Sequence, residues 1–262
     1  MVSGDLLVMF VFLELATLSS VLLVAFNRGV SIEAAVKYVS MAIFATSLTL
    51  LGLGLAARHY GTLNLAELAG VGRHAPLHPL ALALTSVGFA LKTALVPLHA
   101  WVPDSYSEAP APVSAVLSGA LAKCGAYALI TSIYSLAADK GQLLPLVVLA
   151  VLTVVVGGLM AVAQSDLKRM LAYCSICQYG YIVLGLSLPA ASAVYGGLYH
   201  ALTHAVTKAL LFMGVGVVVL STGVRDMYGV RGLSARLPAL AWCYLVGSLA
   251  LAGIPPLTGF FS

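Results

Sequence analysis

The sequence predicts an all-α integral membrane protein that crosses the bilayer about eight times. Of its 262 residues, 61% are apolar and only 8% are Asp, Glu, Lys or Arg, whereas soluble domains carry about 25% charged residues. The apolar residues fall into repeated runs of about 20, which is the length that a helix needs to cross the hydrocarbon core. The chain therefore belongs in lipid and not in water.

Gly, Pro and charged residues separate the apolar runs and set the bounds of the predicted helices. The helices are expected at residues 5–26, 32–57, 76–96, 112–137, 143–164, 169–188, 191–221 and 237–254. The stretch 60–74 is too polar to span and is expected to lie at the membrane interface. The loops on one side of the membrane hold six basic residues and the loops on the other side hold three. The side with six is predicted to be cytoplasmic.

Two parts of the chain pair a lysine at membrane depth with a later helix break. Lys92 precedes Pro97, and Lys208 precedes Pro255 and Pro256 near the last residue. A proline inside a span frees a backbone carbonyl, which is tolerated mainly where protein or a water-filled cavity satisfies it. Paired interruptions indicate an inverted-repeat transporter. Residues 1–140 are expected to form the first repeat and residues 141–262 an incomplete second one.

Composition also argues against several functions. The formal charge of +4 comes from bases scattered singly between apolar runs, so we expect no binding of nucleic acid. The four cysteines lie in apolar runs, and Cys174 and Cys177 form a C-x-x-C without further ligands, so packing is the expected role. The sequence holds no Gly-rich phosphate loop, nucleophile elbow or cofactor cysteine set. We expect the chain to bind no cofactor and no metal.

Ionisable residues inside the predicted spans are the main candidates for function, because each costs several kcal/mol unless it is paired or hydrated. They are Glu14, Lys92, Lys123, His200, His204 and Lys208. An ionised Glu14, about midway along the first helix, needs a cationic partner or a proton. Paired with Lys92, it would exchange protons as the spacing of the pair changes. The alternative is a bridge that only fixes helix packing.

The second half of the chain carries a row of titratable groups. His200, His204 and Lys208 recur at every fourth position, so they lie on one helical face. Lys123 is flanked by small residues that leave room for water. These positions are expected to relay protons. The alternatives are packing for the histidines, snorkelling to the interface for Lys123, and a metal site for which a third ligand is missing.

Residues 99–110 and 166–169 are predicted to form loops at the cytoplasmic ends of the helices. His99, Asp104 and Asp166 are candidates for proton uptake there, although loop charges are often merely solvated. Trp101 and Tyr106 match aromatic anchors at the membrane interface.

Four motifs carry a resemblance to a known family. They are VPLHAWVPD at 96–104, APAPVSA at 109–115, DLKRMLAYCSI at 166–176 and HALTHAVTKALLF at 200–212. Together they resemble the proton-translocating antiporter-like membrane family, which includes subunits of NADH:quinone oxidoreductase, membrane-bound hydrogenases and multisubunit Na+/H+ antiporters. The resemblance implies two inverted five-helix repeats with broken helices, and other membrane subunits as partners.

The resemblance also assigns residues. Glu14 matches the glutamate of the family's fifth helix, Lys92 the lysine of its seventh and Lys123 that of its eighth; the 200–208 row matches its eleventh helix. The family normally has further helices before the one holding Glu14, and a lysine or glutamate after a block like Gly259 to Ser262. We therefore expect a chain truncated at both ends, and no cleaved leader, because the first apolar run holds Glu14.

Proton translocation in a redox-driven pump of a prokaryotic cell membrane is the function that this resemblance implies. One alternative is a subunit of a multisubunit Na+/H+ antiporter, which shares the same helices. The other is a structural membrane subunit that lacks a complete pathway.

Overall fold

The protein is described here by a computed structural model of residues 3–26, 29–68, 78–137 and 140–262. Within these residues the backbone is helical, and the extended pairings are the two isolated bridges Asp5–Asn64 and Asp166–Asp226. The helices are α1 Leu6–Val24, α2 Val30–Tyr60, α3 Leu65–Leu68, α4 His78–Thr93, α5 Trp101–Glu108, α6 Ala111–Val116, α7 Ala122–Leu136, α8 Leu144–Val162, α9 Leu167–Ser187, α10 Ala191–Thr222, α11 Leu233–Arg236 and α12 Pro238–Leu251.

The predicted all-α membrane fold is confirmed. In the described part of the chain, six helical segments are long and apolar enough to cross a membrane. The other two predicted spans, 76–96 and 237–254, are shorter, because α4 has 16 residues and α12 has 14. Residues 76 and 77, and residues 69–74 of the predicted interfacial stretch, lie outside the described residues.

Local chemistry explains several helix ends. The Asp5 carboxylate caps α1 by accepting from the backbone N–H groups of Leu7 and Val8, and the Asp166 carboxylate accepts from that of Arg169 at the start of α9. Short oxygen side chains favour such positions, because they satisfy N–H groups that have no partner within the helix. Asp166 therefore caps α9, and its predicted part in proton uptake stays a prediction.

The helix that carries Lys92 is interrupted. It ends at Thr93, three residues before the predicted end, and Ala94 has a φ of +63°. Pro97 lies in the connection to α5. The predicted loop at 99–110 is wrong, since Trp101–Glu108 is helical. Pro103 is compatible with this helix because it lies in the first turn, where its missing N–H breaks no intrahelical bond.

A second interruption follows α12. Pro255 and Pro256 lie between the end of this helix at Leu251 and a short 3-10 turn at Thr258–Phe261. Gly253 has a φ of +72° in the same connection, a conformation that glycine adopts without steric cost.

The helices α6 and α7 form one span that is widened in its middle. A π-helical turn at Leu117–Leu121 joins them, directly before Lys123. Such turns occur mostly as single insertions, frequently at functional sites. The span packs closely on α4, because a Cβ atom added at Gly125 would lie 3.1 Å from the Lys92 carbonyl carbon.

Apolar side chains on the outer faces fit a lipid environment. Leu202, Val206 and Leu220 on α10 are 70%, 74% and 88% exposed, whereas Lys208 on the same helix is 0% exposed. The helix therefore turns its apolar face outward and its charge inward, which is the arrangement that a bilayer requires.

Candidate functional site

The predicted partners Glu14 and Lys92 form a buried ion pair between α1 and α4. The Lys92 Nζ lies 2.9 Å from the Glu14 Oε1, and the two side chains are 4% and 17% exposed, the lysine being the lower. The Thr46 hydroxyl of α2 donates to the same carboxylate oxygen at 2.8 Å. The ammonium also donates to the Thr17 hydroxyl at 3.4 Å. We call these four residues the ion-pair site.

A small cavity adjoins this site. Its volume is about 10 Å³, and its lining includes Thr17, Tyr38, Lys92, Trp101 and Leu121. That volume accommodates about one water molecule. Leu121 belongs to the π-helical turn, so the cavity reaches from the ion pair towards the span that carries Lys123.

The other four predicted residues form a second buried cluster, which we call the lysine–histidine row: Lys123, His200, His204 and Lys208. His204 is 1% exposed and Lys208 is 0% exposed. The Lys208 ammonium donates to the Leu171 carbonyl of α9 at 3.0 Å. Lys123 is half-buried and donates to the Ser118 carbonyl of the π-helical turn.

One aromatic ring connects Lys123 with the histidines. The Lys123 Nζ lies 5.4 Å from the ring centroid of Tyr179, a cation–π distance. The His204 ring meets the same tyrosine ring edge-on, with 5.6 Å between the centroids. The side chain of Tyr179 therefore contacts both the lysine and the histidine.

His200 differs from its neighbour one turn along because it lies at the edge of an open cavity. Its Nε2 lies 2.6 Å from the Gln178 Oε1 and its Nδ1 lies 2.9 Å from the Ser262 hydroxyl. The cavity, of about 500 Å³, is lined by Gln178, Tyr181, His200, Ser262 and several glycines. By contrast, neither ring nitrogen of His204 has a hydrogen-bond partner within the described residues. The row therefore runs from an open cavity into a closed interior.

Sequence reasoning missed the hydroxyl groups that surround the row. The Tyr179 hydroxyl lies 3.1 Å from that of Tyr106 and 3.3 Å from that of Ser118. The Ser118 hydroxyl lies 2.9 Å from that of Ser175. The four-residue spacing of Ser175 and Tyr179 on one helical face was the available signal.

The candidates for proton uptake lie apart from the row, on or near α5. Asp104 is held by Lys37 of α2 at 2.9 Å and by Arg169 of α9 at 3.1 Å. Glu108, one turn on, is held by Arg225 at 3.2 Å. These ion pairs attach α5 to three other parts of the chain and balance the charge of both of its carboxylates.

Lys168 is buried and not solvated as a loop base would be. It is 5% exposed, and its ammonium donates to the carbonyls of Ser107 and Ala109 at the end of α5. Cations stabilise a helix end where backbone carbonyls are unpaired. Lys168 therefore supports α5 in the same way as Arg225, which donates to the Ser107 carbonyl at 3.0 Å.

The aromatic residues predicted as interfacial anchors are buried instead. Trp101 is 3% exposed, its ring stacks on that of Tyr38 at 4.4 Å, and its Nε1 donates to the Leu91 carbonyl. Tyr106 is 0% exposed. The interfacial interpretation is wrong because these residues belong to a helix inserted between the two buried sites.

His99, in the connection before α5, is only partly accessible. Burial lowers the pKa of its imidazole below the ordinary value, and its Nδ1 has no partner among the described residues. The lowered pKa favours the neutral form of the His99 imidazole.

Metal ligation has little support. The described residues contain no group of three or more His, Cys, Asp and Glu side chains placed to hold an ion. Cys174 and Cys177 are free thiols. The Cys177 backbone packs against Gly157 of α8, where an added Cβ would lie 2.5 Å from the Cys177 nitrogen.

In the part of the chain that the structure describes, six helical segments are long and apolar enough to cross a membrane. Together with the two helix interruptions and the two buried clusters of ionisable residues, they define a class of protein: a multi-span membrane protein with a charged interior. The chain matches, over residues 3–262, the family described as NADH:quinone oxidoreductase/Mrp antiporter, TM. It belongs to this family.

Its relatives are components of several kinds of complex. It is 39% identical over 267 residues to NADH-quinone oxidoreductase subunit N of Desulforudis audaxviator, covering 99% of this chain and 53% of that protein. It is 37% identical over 268 residues to a subunit of the Na(+)/H(+) antiporter of Alkalihalophilus pseudofirmus, covering 99% of this chain and 54% of that protein. The chain thus spans about half the length of the curated relatives it matches.

Solved structures show the same fold. A chain of the membrane-bound sulfane sulfur reductase, an archaeal respiratory membrane complex, matches with a TM-score of 0.92 and 35% identity over 97% of this chain and 53% of its own. A chain of the Mrp complex from Dietzia sp. matches with a TM-score of 0.92 and 31% identity over 98% of this chain and 49% of its own.

Proposed function

We propose that this chain moves protons across a prokaryotic cell membrane as an antiporter-like subunit of a redox-driven multisubunit pump. The observation that carries the proposal is the buried Glu14–Lys92 ion pair beside the lysine–histidine row, inside a bundle of apolar helices. Burying these groups costs several kcal/mol each unless they are paired or hydrated. A membrane helix retains such groups mainly where they serve transport.

The ion pair acts as the switch in this proposal. At 2.9 Å each charge stabilises the other, because the surrounding dielectric is low. When a movement elsewhere in the assembly separates them, the lone ammonium loses its stabilising partner and tends to release a proton. The cavity of about 10 Å³ beside Lys92 holds about one water that accepts it.

The lysine–histidine row acts as the relay. Protons pass from the ion-pair site to Lys123 and then across the Tyr179 region to His204 and Lys208. His200 exchanges protons with water in the open cavity. The chain binds no cofactor of its own, so the redox reaction belongs to its partner subunits.

Two repeats organise this arrangement in the proposal, residues 1–140 and 141–262. Each contains a helix interrupted by proline, at Pro97 and at Pro255–Pro256, and each has a buried lysine, Lys92 or Lys208, in a helix before the break. A symmetric pair of interruptions supports alternating movement of two halves.

Na+/H+ antiport is a second candidate function. The ion-pair site offers three oxygen-bearing side chains, Glu14, Thr17 and Thr46, and oxygen is the ligand type that hard cations prefer. The 37% identity to a component of a Na(+)/H(+) antiporter adds to this. Here Na+ would compete with the Lys92 ammonium for the carboxylate. The remaining alternative is a structural subunit that conducts no ions.

One experiment separates the three candidates. The intact assembly that contains this chain is reconstituted into liposomes with a pH-sensitive dye inside. A redox pump acidifies or alkalinises the lumen on addition of the electron donor without Na+. An antiporter responds to a Na+ gradient without any donor. A structural subunit leaves both signals unchanged when Glu14 or Lys123 is substituted.

A further inference from the structure

We propose that three buried hydroxyl groups form a proton-conducting link from Lys123 to Lys208 that bypasses the histidines. They belong to Ser118 of the π-helical turn and to Ser175 and Tyr179 of α9. The inference rests on the proton-translocating function proposed above and adds residues to it. We call these three residues the hydroxyl link.

The link begins at Lys123. Its ammonium donates to the Ser118 carbonyl, and the Tyr179 hydroxyl lies 3.3 Å from that carbonyl and 3.3 Å from the Ser118 hydroxyl. The ammonium also lies over the Tyr179 ring. A small rotation of the lysine side chain therefore moves its ammonium from the carbonyl of Ser118 to one of the two neighbouring hydroxyl oxygens.

The link ends at Lys208. The hydroxyls of Ser118 and Ser175 lie 2.9 Å apart. Ser175 donates to the Leu171 carbonyl at 2.8 Å, and Lys208 donates to the same carbonyl at 3.0 Å. Two donors that share one acceptor at ordinary hydrogen-bond distances lie within about 6 Å of each other. The two lysines are thus connected by a nearly continuous series of polar contacts.

The chemistry of the link balances without any added reactant. A hydroxyl accepts a proton on a lone pair while it donates its own to the next acceptor. An N–H bond breaks at the Lys123 ammonium, each hydroxyl on the path exchanges one O–H bond for another, and an N–H bond forms at Lys208 once that residue has passed its own proton onward and is a neutral amine. The carbonyls hold the ends in place and carry no proton. The hydroxyls then rotate back before the next transfer.

Burial makes this path distinct from a water wire. Ser118 and Ser175 are 0% exposed and Tyr179 is 1% exposed. His204, in contrast, has no hydrogen-bond partner for either nitrogen within the described residues, so transfer through it depends on water entering. Tyr106 adds a fourth hydroxyl, 3.1 Å from that of Tyr179, and holds the tyrosine in position from α5.

Matched serines provide the control. Ser132 of α7 and Ser187 of α9 are as deeply buried as Ser118 and Ser175. Among the described residues, their hydroxyls bond only to carbonyls of their own helices, those of Leu129 and Val183. The Ser118→Ala/Ser175→Ala variant and the Ser132→Ala/Ser187→Ala variant remove the same atoms at equal burial. They differ only in whether the hydroxyls connect the two lysines.

The test measures three quantities for the intact assembly: the proton flux in liposomes, the yield of the assembly, and the ratio of the flux rates in H2O and D2O. We expect Ser118→Ala/Ser175→Ala to lower the flux by about tenfold, since a positioned proton-transfer group contributes at least this much, and to raise the isotope ratio. The control variant should stay within about twofold of the unmodified protein. Tyr179→Phe, which keeps the ring, should lower the flux as well.

The outcomes separate this inference from the proposed function. If Lys123→Ala abolishes flux while Ser118→Ala/Ser175→Ala and Tyr179→Phe match the control, the hydroxyl link is refuted and the pump stands. If Lys123→Ala leaves the flux unchanged, both fail. If the double variant does not assemble, Tyr179→Phe decides: normal flux with normal yield overturns the link.

Discussion

The ion-pair site and the lysine–histidine row bury charge in opposite ways. At the ion-pair site a carboxylate and an ammonium lie 2.9 Å apart, so the net charge is close to zero. The row contains Lys123, Lys208 and two histidines, and no carboxylate contacts them within the described residues. Its polar partners include the carbonyls of Ser118 and Leu171, the amide of Gln178 and the hydroxyl of Ser262.

Because of this difference, the ion-pair site can hold charge stably, whereas the row can only pass charge on. A buried ion pair holds both charges, because removing either one leaves the other unpaired at a cost of about 3–5 kcal/mol. Without a counter-charge, each added proton in the row repels the next, and the repulsion is strong where the dielectric is low. The ion-pair site is therefore suited to switching, and the row to holding a proton only briefly.

The first prediction breaks the ion-pair site and has the largest expected effect. Glu14→Gln keeps the volume and removes the charge that stabilises the Lys92 ammonium, so the switch is lost. We expect proton flux to fall by about a hundredfold, with the assembly intact. Flux is measured in liposomes and assembly by native electrophoresis.

The control for this change is Glu33→Gln on α2. That glutamate also pairs with a lysine, but its side chain is 73% exposed, and exposed pairs contribute little. Unchanged pumping by Glu14→Gln at the normal stoichiometry would remove the ion pair from the mechanism.

The second prediction gives the row the counter-charge that it lacks. Gln178→Glu places a carboxylate where the amide oxygen now lies 2.6 Å from the His200 Nε2. The new ion pair should retain a proton on the histidine and slow flux by about tenfold. Gln164→Glu, on a partly exposed side chain two residues after the end of α8, is the matched control. Faster flux in Gln178→Glu would show that the missing carboxylate limits the row.

The third prediction separates a relay role of the row from a packing role. The His204 ring makes no hydrogen bond within the described residues, so His204→Phe fills the same space without leaving a polar partner unsatisfied. We expect the thermal unfolding temperature to stay the same or rise, while flux falls about threefold because the hydroxyl link still conducts. A lower unfolding temperature with normal flux would favour packing.

Whether the sequence alone could identify a residue of the two sites depends on the kind of residue. Glu14, Lys92 and Lys208 could be selected because a charge inside an apolar run demands a partner. Ser118 and Ser175 could not be selected as a pair, since Ser132 and Ser187 are also serines within apolar runs and the spacing of Ser175 and Tyr179 carries no information about Ser118. Only contacts between helices distinguish the two pairs of serines.

The helix α5 could not be predicted for a related reason. Trp101 and Asp104 beside prolines are typical of an interfacial loop, and helical periodicity over eight residues gives a weak signal. What makes this segment helical and buried is tertiary: the stacking of Trp101 on Tyr38 and the contacts that Lys168 and Arg225 make with its last carbonyls. Contacts with residues distant in the sequence therefore determine that this segment is helical and buried, which its local sequence does not.

The last prediction concerns α5 as the connection between the two regions and has the smallest effect. Trp101 lines the small cavity beside the ion-pair site, and the Tyr106 hydroxyl lies 3.1 Å from that of Tyr179, whose ring contacts the row. The Glu108–Arg225 pair holds the end of the helix. The two side chains of that pair are 25% and 40% exposed, so breaking it should cost only about 0–1 kcal/mol of stability.

A double-mutant cycle of Glu108→Gln and Arg225→Gln measures this coupling from thermal unfolding at low and high salt. We expect the coupling to shrink at high salt and the flux to change less than twofold. A large loss of flux with normal stability would instead show that α5 transmits movement from one region to the other, and the two would then be parts of a single switch.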